Sequence, residues 1–237
     1  MGSLGAKKTQ SGFAFYMTNT EIAEFAKNKY NMTVPEKVLD KIGADKIVGG
    51  LILSEDLFKE LPEDVVKQAG ISFITKDQGS KAYASMQVVD GTLQINPKLY
   101  DDNLFKSYAS DVAGKWHPDN TTADSIIVHE IAHRLDWLMH QKEYSNYYDR
   151  VIAWNSRELA KNVVLQAISN AKATTGQCGK ISEYMNSISG YAASKKGGKY
   201  QYHETIAEGI ADYVANKNNA KPLSKEIWKI VKSKLGG

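Results

Sequence analysis

Ile126-Ile-Val-His129-Glu130-Ile-Ala-His133-Arg-Leu-Asp136 is the stretch on which the reading of this chain turns. His129 and His133 are four residues apart. On a helix four residues advance about 400°, so both imidazoles leave one face, a turn apart, and can share a tetrahedral metal ion. Glu130 lies about 100° around from His129, beside the metal position without being a ligand. From there a carboxylate can take the proton of a zinc-activated water as it attacks a carbonyl, which is the logic of H-E-x-x-H hydrolases. Ile126, Ile127, Val128, Ile131, Leu135, Leu138 and Met139 surround the same segment with apolar side chains. This predicts a helix over about 123–141, buried in the domain centre. Two histidines and a glutamate are costly to bury there without a partner, and Zn2+ removes that cost.

A catalytic zinc site needs a third protein ligand and an open fourth position. One class continues as H-E-x-x-H-x-x-G-x-x-H. Here those later positions hold Asp136 and Met139, and His140 is one residue out of register, which argues against that class. The other common solution is a glutamate on a later helix. Tyr202-His-Glu204-Thr-Ile-Ala-Glu208-Gly-Ile-Ala-Asp212 sets three acids on one helical face. Glu204 is the preferred ligand, and Glu208 an acid that orients a ligating histidine. The reverse, Glu208 as ligand with Asp212 behind it, stays open at this point. Asp136 shares a face with His133. It either accepts a hydrogen bond from a ligand or forms a buried pair with Arg134 or Lys115. His117 and His140 belong to no pattern, and His203 reads better as an exposed residue than as part of a cleft.

These motifs resemble the gluzincin metallopeptidases of the lethal-factor-like type, including peptidase-like domains of phage head and other mobile-element proteins. The resemblance rests on His129-Glu-Ile-Ala-His133-Arg-Leu-Asp136, Ser189-Gly-Tyr191 and Glu204-Thr-Ile-Ala-Glu208, and covers roughly residues 92–215. It implies a zincin-like fold and Glu204 as the third zinc ligand. It also implies that Tyr191, in an S-x-Y pattern, hydrogen-bonds the oxyanion of the tetrahedral intermediate. Two spacings depart from the family. Lys195-Lys-Gly-Gly-Lys199 lengthens the gap between Tyr191 and Glu204, and a helical filling over 144–173 lengthens the gap after His133.

Outside the motifs, a flexible leader is expected over residues 1–15, a helical N-terminal lobe over 16–70, and the zincin-like domain over 71–237. Thr18-Asn-Thr-Glu21 is a capping box opening a helix. Pro35 starts a second, ended by Gly43, and a third covers 54–68 with a break at Pro62. Residues 71–75, 82–89 and 92–96 read as strands, with Asp90-Gly91 as a hairpin signal. The expected fold is therefore α+β, mostly helical, with a small antiparallel sheet flanking the active-site helix. Thr92–Asn96 is the expected edge strand to which a peptide substrate adds. The segment 194–199 reads as a loop, and helices are expected over 202–216 and 223–234.

The 237 residues carry a net charge of +3, too mild to point to nucleic acid. Lys217, Lys221, Lys225, Lys229, Lys232 and Lys234 face only Glu226 in sequence, and read as the solvated face of a terminal helix. One cysteine, Cys178, allows no intrachain disulfide. No apolar run is long enough for a membrane span or signal peptide, so the expected location is cytoplasmic or virion-associated. The function expected is a zinc metallopeptidase acting on a protein or peptide. The alternative is a phage or mobile-element assembly protein with a catalytically idle zinc, and a third is a toxin-like effector peptidase.

Overall fold

The computed structural model describes residues 7–8, 14–15, 17–80 and 82–237. The expected leader falls mostly outside them; within it, β1 (Lys7–Lys8) pairs antiparallel with β2 (Ala14–Phe15). Four helices follow: α1 (Asn19–Tyr30), α2 (Glu36–Ile42), α3 (Asp45–Phe58) and α4 (Glu63–Ala69). Then come β3 (Ser72–Thr75), β4 (Ala84–Gln87) and β5 (Thr92–Ile95), and α5 (Leu104–Ala113). The helix carrying the two histidines is α6 (Ser125–Glu143), followed by α7 (Tyr147–Ser156), α8 (Glu158–Thr175) and α9 (Ile181–Ile188). A hairpin of β6 (Lys195–Lys196) and β7 (Lys199–Tyr200) leads into α10 (Tyr202–Asn216), and α11 (Pro222–Leu235) ends the chain. The protein is α+β and mostly helical.

Local signals act where expected. Thr18 and Glu21 form a reciprocal capping box at the start of α1, and Gly43 ends α2 in a conformation with φ +97°. The third helix begins earlier than its sequence suggests, at Asp45, because the pair Gly49-Gly50 is a poor helix former that packing requires. A Cβ at Gly50 would sit 2.5 Å from Cδ1 of Ile127, and one at Gly49 2.1 Å from Oδ1 of Asp124. The two glycines let α3 lie directly against the start of α6. The helical filling after α6 is likewise broken in two, at Arg157, which adopts φ +58°.

The three-stranded sheet corrects two expectations. Its order is β3-β5-β4, with β3 parallel to β5 and β4 antiparallel to it, so the sheet is mixed rather than antiparallel. Thr92–Ile95 is the central strand, not an edge. The edge beside α6 is β4. The Asp90-Gly91 hairpin does form, with Gln87 opposite Thr92 and a Thr92 N–H donated to Asp90 Oδ1. The expected loop at 194–199 is instead the β6–β7 hairpin.

One apolar core runs from Ile22 in α1 to Leu235 in α11, and α6 passes through it, most of its residues buried. α10 packs along α6, which carries the chemistry of the second motif to the first. Arg134 is not paired with Asp136. Its guanidinium donates to the carbonyls of Gln68, Ala69, Val88 and Val89, tying the end of α4 and the β4–β5 turn to α6. Among the described residues no helix is long and apolar enough to cross a membrane.

Candidate metal centre

His129 and His133 lie one turn apart on α6, rings 4.9 Å apart and nearly perpendicular. Glu204, in the first turn of α10, presents Oε2 at 3.3 Å from Nε2 of each histidine. That oxygen is buried and, among the described residues, has no hydrogen-bond partner. A single donor atom from each of the three residues falls within 4.8 Å of the others. Two ligands each about 2.0–2.1 Å from a tetrahedral zinc stand about 3.3–3.4 Å apart, so the two nitrogen–oxygen separations suit a shared ion better than hydrogen bonds. A buried carboxylate oxygen that completes no hydrogen bond among the described residues, set between two imidazole nitrogens, fits a cation at their common focus.

Glu208, one turn further along α10, does not join that focus. Its Oε1 is 2.9 Å from Nδ1 of His129, which keeps the proton on Nδ1 and frees Nε2 as a donor of electrons. Oε1 also meets Nδ1 of His117 at 3.3 Å, and Oε2 accepts from the Ser189 hydroxyl at 2.8 Å. Burial pushes the Glu208 carboxyl up, but hydrogen bonds from His117 and His129 hold it down at about 2. For Glu204 too, burial is outweighed, by His133 and then His129, and its carboxyl stays far below the usual range. Asp212, the third acid of the face, turns away to Asn216 and the backbone N–H of Lys221.

Glu130 is buried beside the histidines. Burial is the main influence on it and raises its carboxyl, while the backbone N–H of Met86 in β4 faces it. Tyr191 stacks on His129 at 5.8 Å between ring centroids and on Trp116 at 5.4 Å. Burial, then the Glu204, Glu130 and Glu208 carboxylates, push its phenol well above the ordinary range. The backbone explains why Ser189-Gly-Tyr191 holds this place. Gly190 N–H donates to Lys115 O and Tyr191 N–H to Trp116 O, so the 115–117 and 189–191 segments run together. The serine of that motif anchors Glu208, and its tyrosine covers His129.

Asp136 is not brought into the centre by any hydrogen bond. It is 1% exposed, and neither carboxylate oxygen has a hydrogen-bond partner among the described residues. Its nearest basic neighbour is His140 Nδ1 at 3.6 Å, a nitrogen that instead bonds the Asp136 carbonyl at 2.9 Å. Lys115 pairs with Asp119. His203 is not an exposed residue: its Nε2 sits 3.3 Å from Glu204 Oε1. His117 belonged to no sequence pattern, yet it stacks on Tyr108 at 4.6 Å and reaches Glu208 from 91 residues away. Only long-range packing reveals such a pair.

His129, Glu130, Tyr191 and Glu208 are among the residues that line a cleft of about 380 Å3. It is also lined by Tyr83, just before β4, Ala84 at the start of β4, Asp111 from α5, and Trp116. No protein-family model matches the chain, and no curated protein or solved structure matches it either.

Proposed function

We propose that this protein is a zinc-dependent metallopeptidase with a zincin-like fold, in which His129, His133 and Glu204 hold the ion. The observation that carries the reading is the Glu204 Oε2 atom, buried without a hydrogen bond at 3.3 Å from both Nε2 atoms. When bound, Zn2+ supplies Lewis acidity toward a water molecule and the scissile carbonyl. Glu130 takes the proton of the attacking water and delivers it to the leaving amine; burial raises its basicity for that task. Tyr191 keeps its hydroxyl proton at neutral pH and donates it in a hydrogen bond to the developing oxyanion. Glu208 and Ser189 hold His129 in position. An extended peptide adds along the outer edge of β4, where Ala82, Tyr83 and Ala84 line the cleft.

Two features support catalysis over a metal kept for folding or assembly. Among the described residues the cluster offers three protein ligands rather than four, and an open cleft lies beside Glu130. The test is Glu130→Gln. Elemental analysis should show unchanged zinc content, and cleavage of a peptide library should fall by about 100-fold or more. Wild-type turnover in that variant would refute the mechanism.

A further inference from the structure

We infer that the cleft beside Glu130 is a subsite for a basic substrate side chain, arginine or lysine, selected by Asp111; the inference rests on the peptidase reading. At about 380 Å3 the cleft accepts a long side chain. Tyr83, Tyr108, Trp116 and Tyr191 form its aromatic walls. Aromatic faces attract a desolvated ammonium and stack on a guanidinium, so they serve a cation and its apolar stem together.

Among the described residues, the charges lining the cleft have one sign left over. His117 and His129 are both engaged by Glu208. Among the described residues Asp111 accepts one side-chain hydrogen bond, from the Tyr83 hydroxyl to Oδ2 at 2.8 Å. Among the described residues no lysine or arginine pairs with Asp111, and none lines the cleft. The nearby Lys115 is committed to Asp119 at 2.6 Å. An incoming cation therefore meets a carboxylate that no described lysine or arginine compensates, against aromatic walls, whereas an acidic side chain meets Asp111 and Glu130 together. Tyr83 fixes Asp111 from one side, which leaves Oδ1 for the substrate.

The experiment compares zinc-loaded wild type with Asp111→Asn and Asp111→Arg on peptides that differ at the residues flanking the cut bond. Arg or Lys should be preferred over Leu by about tenfold or more in kcat/KM, the strength of a charged hydrogen bond. The Arg:Leu ratio should collapse in Asp111→Asn, and Asp111→Arg should turn the preference toward Glu. Ratios within one variant are insensitive to the fraction of folded protein. In parallel, Nα-acetylarginine amide and its norleucine analogue are titrated against wild type and Asp111→Asn, following the Trp116 indole resonance. Tighter binding of the arginine probe, weakened in Asp111→Asn, upholds the subsite even if no peptide is cut, and that outcome would overturn the peptidase reading instead. Peptide cleavage with no basic preference, or with a preference that Asp111→Asn leaves intact, overturns the subsite and leaves the peptidase reading standing. Equal binding of the two probes likewise overturns it.

Discussion

Glu208 Oε1 lies 2.9 Å from Nδ1 of His129 and thereby sets which nitrogen of that imidazole is free to face Glu204. The same oxygen reaches His117 in the cleft wall. One carboxylate thus couples a candidate metal ligand to the surface a substrate would touch.

Glu208→Gln should therefore weaken zinc binding by about 10–100-fold without abolishing it, because it removes an orienting partner and not a ligand. Glu204→Gln should lose stoichiometric zinc. Competition with a chromophoric chelator measures both. Identical affinities for Glu208→Gln and wild type would remove Glu208 from the centre.

The metal-free protein should have a narrow pH range of stability. The Glu208 carboxyl is held down at about 2, from an ordinary 4.5. Its contribution is present above 4.5 and lost as pH falls toward 2. His129 behaves oppositely. Burial opposes its charge, but Glu204 and Glu208 raise it well above its ordinary 6.5. Its contribution is complete below 6.5 and is lost as pH rises through the raised value. Urea midpoints of chelator-treated protein should peak between about pH 4.5 and 6.5. Zinc should lift the alkaline side most, since it replaces the proton on His129, and zinc at 100 times its Kd adds about 2.7 kcal/mol. A metal-free midpoint that keeps rising to pH 9 would contradict this.

Gly50→Ala should destabilise the fold by about 1–3 kcal/mol through overpacking against Ile127, with its Cβ 2.5 Å from Cδ1. Helix propensity alone favours alanine by about 1 kcal/mol, so the sign of the change in urea unfolding decides between propensity and packing.

Asp136→Asn should stabilise the protein at pH 8 by about 1 kcal/mol or more, because a buried carboxylate without hydrogen bonds costs the folded state. Burial raises the Asp136 carboxyl above 3.8, so ionisation disfavours the fold as pH climbs past that value. The advantage of asparagine should fade toward pH 4. An equal difference at both pH values would show that charge is not its source.

Much of the candidate centre was legible in the sequence, since its parts depend on helical spacing. His129 and His133 share a face for the same reason that Glu204 and Glu208 do. The capping box, Gly43 and the Asp90-Gly91 turn are equally local. What spacing could not reach is any choice made by packing. Gly49 and Gly50 look like helix breakers until α6 is laid against them. The rank of β4 as the edge strand depends on β3 pairing parallel with β5 from the other side.

The lysine-rich end shows the same division. In sequence Lys217, Lys221, Lys232 and Lys234 have no acid nearby; in the fold they meet Asp56, Asp119, Glu60 and Glu143. Sequence by itself determined which side chains leave one face of α6 and one face of α10, because helix geometry depends only on residues a turn apart. Tertiary structure alone decided that Glu204 rather than Glu208 faces both Nε2 atoms, that His117 and Trp116 join the site, and that Asp136 stays outside it. Those outcomes hang on how two helices and two loops pack across more than sixty residues of chain, a relationship no local pattern encodes.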